Sequence, residues 1–215
     1  MPEGSSEPER TLEEALAERV EAQPAAPPGP AEALRELGAV DRAVFDAIAR
    51  TPTPRLDGPA RRLSNAANRS LLWLGLAAVI ARIGGRRGRR AALEGVVSIA
   101  VTSAEVNLGI KPLIERRRPD RADPGLFPGR DARMPKSASF PSGHAASAFA
   151  FAYAIGRHFP LLGVPIRLLA GAVAYSRVHT GVHYPGDVVI GSIVGAGTAA
   201  TVSAASDRLH ARRGS

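Results

Sequence analysis

The sequence predicts an all-α protein, an integral membrane helical bundle with about five to six transmembrane helices. Two observations carry this prediction: long stretches without charged residues, and small residues spaced for close helix packing in lipid. The chain has 215 residues, which fits one domain, and its mean hydropathy of −0.04 and net charge of +8 average over dissimilar parts. It contains no cysteine, which excludes a disulfide framework, a thiolate metal site and a cysteine nucleophile.

Residues 1–37 are predicted to form a disordered acidic tail. They contain nine Glu and three Arg, a net charge of −6, with several prolines and no aromatic residue. Such a segment cannot bury enough apolar surface to offset the entropy of ordering. It also lacks the basic start and apolar stretch of a secretory signal.

Residues 38–69 are predicted to form two short amphipathic helices. Val44, Phe45 and Ile48 recur among charged residues, and the turn sequence of residues 51–54 separates the two halves. These helices suit either a membrane interface or the face of a bundle, and the pattern leaves both open.

Residues 70–206 are predicted to form the transmembrane domain. Four stretches carry no charge: Ser70–Ala81, Gly95–Ala104, Ser137–Gly156 and Val188–Ser206. The last two, of 20 and 19 residues, reach the length of about 20 that spans a bilayer, and a fifth candidate at 161–176 contains Arg167.

The last stretch, Val188–Ser206, favours a membrane bundle over a soluble one. A helix of a soluble bundle usually has one polar face, and this stretch has none. Its Gly191, Gly195 and Ala199 recur every four residues, which permits close packing in lipid. We therefore favour the membrane protein.

The positions of the arginines predict the orientation of the protein in the membrane. The connection at 84–90 carries four Arg, Arg157 and Arg167 flank the next connection on that side, and residues 207–215 form a basic tail. The positive-inside rule places all three in the cytoplasm. The loops at 111–140 and 176–187 are then extracytoplasmic.

Three polar clusters lie at the outer ends of the predicted spans. The first includes Lys111 and Arg118–Pro119, and such positive charge on the outer side breaks the orientation rule, which suggests an anionic ligand. The alternative is that this basic cluster only anchors the end of the span at the membrane surface. Lys111 is also one of only two lysines beside 26 arginines.

The second cluster, Pro141-Ser142-Gly143-His144, lies immediately before an apolar helix. Ser142 suits a helix N-cap, and free backbone N–H groups at a helix start bind phosphate, with Gly143 permitting close approach. His144 would then face the ligand.

The third cluster runs from Ser176-Arg177 to His183 and Asp187. An aspartate four residues beyond a histidine, across a tight turn, suits a hydrogen bond to Nδ1 that leaves Nε2 as nucleophile or base.

Together the clusters read Lys-x6-Arg-Pro, Pro-Ser-Gly-His and Ser-Arg-x5-His-x3-Asp. In this order and spacing they resemble the type 2 phosphatidic acid phosphatase (PAP2) family, which shares its fold with vanadium haloperoxidases. The resemblance covers about residues 38–206 and implies a metal-independent phosphatase without a cofactor that acts through a phosphohistidine. It implies that His183 attacks phosphorus, Asp187 orients it and His144 protonates the leaving group. It assigns phosphate binding to Lys111, Arg118 and Arg177 with backbone donors around Ser142 and Gly143.

The resemblance also implies a lipid phosphate substrate at the extracytoplasmic membrane face. Candidates are a polyprenyl phosphate or diphosphate, a polyprenyl-phosphoryl sugar phosphate such as decaprenylphosphoryl-5-phosphoribose, and phosphatidate. Two alternatives remain open: a vanadate-dependent haloperoxidase, and a non-enzymatic membrane protein that binds anionic lipids. A nucleic-acid partner is not expected, because the positive charge is dispersed without interleaved aromatics. The oligomeric state is left open.

Overall fold

The computed structural model describes residues 29–121, 130 and 132–213, and these residues form helices joined by turns and loops, without a strand. Val40–Ser215 is one compact unit that contains all three motif clusters, and Met1–Ala39 is a separate unit. The described helices are α1 Pro30–Arg50, α2 Pro54–Ala66, α3 Leu71–Ile83, α4 Gly85–Ala104, α5 Gly143–His158, α6 Pro160–His179 and α7 Pro185–Arg213.

Helix α1 begins at Pro30, inside the segment predicted as a disordered tail to residue 37. Proline suits the first helical turn, and the carbonyl of Gly29 accepts the N–H groups of Glu32 and Ala33 at 2.9 Å. The local start signals therefore outweigh the poor apolar content. Residues 1–28 of the predicted tail lie outside the described residues.

The turn predicted at residues 51–54 lies between α1 and α2. Phe45 and Ala49 on α1 are buried in a cluster with Val178 and Val188, so this part of α1 packs on the bundle face. The placement of these helices at a membrane interface stays a prediction.

A sharp bend joins α2 to α3. Asn68–Ser70 forms a short 3₁₀ turn in which Arg69 and Ser70 have positive φ of 55° and 58°, and the helices on either side differ in direction by 63°. Non-glycine residues rarely adopt this left-handed conformation because the Cβ crowds the backbone.

Among the described helices, three are long and apolar enough to cross a membrane: Gly85–Ile110, Pro160–His179 and Pro185–Arg212. The bent pair α2 and α3 is a fourth if it counts as one span. The prediction of a multi-pass helical membrane bundle is confirmed, and its count of five to six spans is approximate.

The predicted stretch Ser137–Gly156 differs from its helix. Helix α5 begins only at Gly143 and has 16 residues, about 24 Å at 1.5 Å per residue, because the preceding residues form the second polar cluster. Its alanines and Phe151 are buried, and Phe151 contacts Trp73 of α3 with ring centroids 5.5 Å apart. Helix α5 is therefore the buried centre of the bundle.

Helix α7 packs closely against α5 through the glycines that the sequence singled out. A Cβ built at Gly191 would contact the Ser142 backbone, and one at Gly195 would overlap the carbonyl of Ala146. Ala199 is fully buried. Helix α7 also continues to Arg213, past the predicted boundary at residue 206, because the first glycine after the span is at 214.

Candidate active site

A cavity of about 220 Å³ lies where α4 ends and α5 begins. Five predicted site residues line it: Lys111, Arg118, Gly143, His144 and His183. Lys111 follows a π-helical turn at Glu105–Ile110 that extends α4, His144 is in the first turn of α5, and His183 lies between α6 and α7. The fold thus brings the three sequence clusters to one place.

His183 and Asp187 form the predicted pair. The Nδ1 of His183 lies 3.4 Å from Oδ2 of Asp187, and both side chains are almost completely buried. The same Oδ2 accepts the Tyr184 N–H at 2.9 Å and the Ser139 hydroxyl, so the carboxylate is fixed from several sides. This arrangement orients the imidazole ring.

Arg118 lies on the other side of that ring. Its Nη1 is 3.2 Å from His183 Nε2, and the same nitrogen donates to the Val182 carbonyl at 2.7 Å. Because a guanidinium only donates hydrogen bonds, Nε2 is the acceptor and the proton is on Nδ1, toward Asp187. The Nε2 lone pair of His183, which accepts this hydrogen bond, therefore lies on the side of the ring that faces Arg118 and the cavity.

The electrostatics of the site follow from burial and nearby cations. Burial lowers the pKa of His183 to about 4, an effect that Asp187 opposes and Arg118 reinforces, so the ring is neutral at neutral pH. Burial also lowers the pKa of Lys111 to about 8, with help from Arg118 and Arg177 and against the effect of Asp187. The pKa of Arg118 is lowered by burial too. A phosphate dianion would relieve this concentration of positive charge.

His144 contacts a residue that the motifs do not include. Its Nε2 lies 3.0 Å from Oδ1 of Asn68, in the bend between α2 and α3. An amide oxygen only accepts, so Nε2 carries a proton. The bend thus holds the candidate proton donor.

Fewer backbone N–H groups are available to bind phosphate at the start of α5 than the sequence suggests. The N–H of Ser142 donates to the Asp187 carbonyl at 2.9 Å, and its Oγ caps α5 by accepting from Ala145 N at 3.4 Å. The prediction of Ser142 as an N-cap is confirmed. Its own N–H is already used, and phosphate binding by the backbone donors around Ser142 and Gly143 stays a prediction. Gly143 lines the cavity with His144.

Arg177 is completely buried, outside the cavity lining. Its Nη1 donates to the carbonyl and to Oγ of Ser64, at 3.2 and 2.6 Å. Its Nε and Nη2 have no hydrogen-bond partner among the described residues. Unpaired buried donors on a cation are costly, and an anionic group could pair with them.

The sequence reasoning missed Arg116. Its Nη1 donates to Asp187 Oδ1 at 2.9 Å and its Nη2 to Asp41 Oδ2 at 2.6 Å, while its guanidinium lies 4.3 Å from the Tyr184 ring centroid. Both oxygens of Asp187 are therefore bonded. Arg116 belongs to the run Arg116–Arg118, and only the motif spacing distinguished Arg118 within that run.

The chain is similar to known phosphatases. A family model described as the PAP2 superfamily matches residues 91–210. The decaprenylphosphoryl-5-phosphoribose phosphatase of Mycobacterium tuberculosis is 36% identical over 162 residues, which are 74% of this chain and 86% of that protein. The lipid A 4'-phosphatase of Bacteroides thetaiotaomicron is 35% identical over 115 residues, 49% of this chain and 51% of that protein.

A solved structure shows the same fold. The transmembrane PAP2 type phosphatidylglycerolphosphate phosphatase from Bacillus subtilis has a TM-score of 0.62 at 23% identity, over 90% of this chain and 92% of that chain. The family model and the phosphatase relatives show an enzyme of the class that hydrolyses phosphoric esters, and the fold is that of a membrane protein. The chain belongs to the PAP2 superfamily, as its three motifs indicated.

Proposed function

We propose that this protein hydrolyses the terminal phosphate of a polyprenyl-phosphoryl sugar phosphate, without a metal ion, through a phosphohistidine at His183. One observation carries the proposal. The lone pair of His183 Nε2 faces a small cavity that Lys111, Arg118 and His144 also line, while its Nδ1 is held by Asp187.

In the first step, His183 Nε2 attacks phosphorus in line and an N–P bond forms as the ester P–O bond breaks. Burial and the surrounding cations lower the pKa of His144 to about 2, and a bound phosphate dianion opposes this effect. As an imidazolium beside that dianion, His144 donates a proton to the departing oxygen and becomes neutral. Lys111 and Arg118 neutralise the phosphoryl oxygens, and the backbone N–H groups of Gly143 and His144 donate to them. Arg177, buried outside the lining, adds positive charge to the site. Positioning and charge neutralisation are what phosphoryl transfer requires of a protein.

In the second step, His144 has lost its proton and accepts one from water. The water oxygen attacks phosphorus, the N–P bond breaks, and inorganic phosphate leaves with His183 restored. Asp187 stabilises the imidazolium that exists while the N–P bond forms and breaks. Asn68 and Arg116 hold His144 and Asp187 in place during both steps.

Two features support a polyprenyl-phosphoryl sugar phosphate as the substrate. The Mycobacterium tuberculosis relative is named for decaprenylphosphoryl-5-phosphoribose, and the match covers 86% of that protein. The site also lies at the end of a bundle with membrane-length helices, where a phosphate at the interface meets a chain in the bilayer.

The same reasoning supports an extracytoplasmic site. Helix α4 begins with four Arg at residues 86–90, and the 26 residues of Gly85–Ile110 lead from them to Lys111. A helix of that length extends about 39 Å. If the arginines face the cytoplasm by the positive-inside rule, the cavity faces outward.

Phosphate release by the detergent-purified protein tests this function. The panel contains a polyprenyl-phosphoryl ribose 5-phosphate, polyprenyl phosphate, polyprenyl diphosphate and phosphatidate, each with and without EDTA. We expect the sugar phosphate to be hydrolysed fastest and EDTA to leave the rate unchanged. The His183→Ala variant is the control, and a panel in which no member is hydrolysed faster than by this variant would overturn the proposal.

A further inference from the structure

A second cavity of about 430 Å³ adjoins the candidate active site. Arg69, Pro135 and His144 line both cavities. The remaining lining of the second cavity comes from Asn68, Leu71 and Arg133. His144 therefore stands at the boundary between the two spaces.

The chemistry of the first step determines what the second cavity holds. In an in-line displacement the leaving oxygen lies opposite the nucleophile, and the general acid must reach that oxygen. His183 does not line the second cavity, and His144 does. The leaving group, which carries the sugar and the lipid, consequently extends past His144 into the second cavity.

The charge of this cavity comes from two arginines on separate elements. Arg69 lies in the bend between α2 and α3, and Arg133 lies in the loop that precedes α5. Within the part of the chain that the structure describes, no carboxylate or carbonyl pairs with either guanidinium, although Arg116, Arg130 and Arg157 each have such partners. Two unpaired guanidinium groups around one cavity suit a second anionic group.

The backbone at Arg69 adds an independent indication. Arg69 and Ser70 both adopt left-handed φ, of 55° and 58°, at the one point where Asn68 also reaches His144. Strained backbone of this kind is typical of ligand sites, where the surrounding structure holds it in place. Leu71, the next residue, is 63% exposed and begins the apolar helix α3, along which a lipid chain can continue.

We infer that Arg69 and Arg133 form a second anion subsite, which binds the phosphodiester that joins the sugar to the lipid in a substrate with two phosphate groups. The inference rests on the proposed function and narrows its substrate class. The terminal phosphate occupies the cavity with His183, the sugar passes His144, and the inner phosphodiester lies between the two arginines. A lipid with a single phosphate leaves this subsite empty.

The test compares two substrates that differ only at the inner linkage. One is a polyprenyl-phosphoryl ribose 5-phosphate, and the other replaces its phosphodiester with a neutral ether, so both present the same terminal phosphate. The ratio of their kcat/KM values is measured in the same detergent for the wild type, Arg69→Gln and Arg133→Gln. Both substrates are assayed in micelles of the same composition. A nonspecific attraction of the protein to anionic lipid therefore affects both kcat/KM values equally and does not change their ratio.

We expect the wild type to favour the phosphodiester substrate and each variant to reduce the ratio at least tenfold. Arg62→Gln is the matched control, since Arg62 is an exposed arginine on α2 outside both cavities, and we expect it to retain the wild-type ratio. Arg133→Lys, which keeps the charge, should retain most of the preference.

The failures of the two proposals are distinguishable. An unchanged ratio in both glutamine variants, or an equal loss on both substrates, overturns the subsite and leaves the phosphatase intact. A wild type that hydrolyses neither substrate overturns the proposed function and the subsite with it.

Discussion

Each end of the bundle contains a histidine paired with a carboxylate beside a cavity, and the proposed mechanism uses only one of the two pairs. At the motif end, His183 pairs with Asp187 beside about 220 Å³. At the arginine-rich end, His158 Nε2 lies 3.1 Å from Glu94 Oε2 beside about 530 Å³. The larger of these two cavities therefore lies beside the pair that the proposed mechanism does not use.

The surroundings of the two pairs explain the difference. The second oxygen of Glu94 accepts the Ser203 hydroxyl, and His158 uses Nε2 for the carboxylate. The lining there alternates Arg90 with Glu94 and Asp207 among apolar side chains, so the charges offset one another. At the motif end, cations surround a histidine whose second nitrogen faces the cavity. A histidine nitrogen whose lone pair faces a cluster of cations is thus the distinguishing feature of the motif end.

The largest expected effect separates the two histidines. We expect His183→Ala to reduce kcat at least about 10⁴-fold, because loss of a nucleophile removes the covalent route. His158→Ala, which removes the His158–Glu94 pair, should remain within a few-fold of wild type. Phosphate release by the purified variants measures both. A His158→Ala variant as inactive as His183→Ala would remove the distinction between the two ends.

The cations provide the next comparison. Arg118→Gln is expected to lower kcat/KM about 10²- to 10³-fold, the range for loss of one preorganised donor to a developing charge. Arg90→Gln, at the arginine-rich end, is the matched charge removal and should have little effect on hydrolysis. Steady-state kinetics on one lipid phosphate measure kcat/KM for both variants. Equal losses of kcat/KM in Arg118→Gln and Arg90→Gln would show that net charge matters rather than the position of the arginine.

Helix packing beneath the site is tested by a pair of glycines on α7. Gly195→Ala places a Cβ against the Ala146 backbone and should destabilise the protein by about 3 kcal/mol, the upper range for overpacking. Gly197→Ala is the control, because nothing lies within 4 Å of its Cβ position. Thermal unfolding in detergent measures both variants. Equal melting temperatures would contradict the close approach of α5 and α7.

The smallest effect concerns pH. Protonated Lys111 binds phosphate, and its pKa of about 8 predicts that kcat/KM falls as the pH rises through that value. In Lys111→Arg the guanidinium stays charged, so the alkaline limb should move upward, with about a tenfold advantage one pH unit above 8. His183 becomes protonated only near its pKa of about 4, which places the acid limb far below. An alkaline limb that is the same in both proteins would show that Lys111 does not control it.

The sequence predicted which motif residues meet at the candidate active site. It did not predict the contacts that these residues make with residues outside the motifs. Each motif has fixed spacing, so the meeting of Lys111, Arg118, His144 and His183 in one cavity followed from the pattern. The helix start after Ser142 was likewise readable from its capping residue.

Other features depend on tertiary contacts that spacing does not encode. Asn68 and Arg69 reach the site only because two non-glycine residues adopt left-handed φ, and no glycine or proline marks that bend in the sequence. The N–H of Ser142 is used by the Asp187 carbonyl, 45 positions later in the chain, so its loss from the cradle could not be read locally. Arg116 was hidden among neighbouring arginines for the same reason.

The most direct test of the account is to trap the intermediate. A lipid phosphate substrate is mixed with the purified protein, the reaction is stopped in alkali, where phosphohistidine survives, and the peptides are sequenced by mass spectrometry. The account predicts a phosphoryl group on the imidazole of His183 that disappears on further incubation with turnover. Phosphorylation of His144 or His158 instead, or continued hydrolysis by His183→Ala at the wild-type rate, would contradict it.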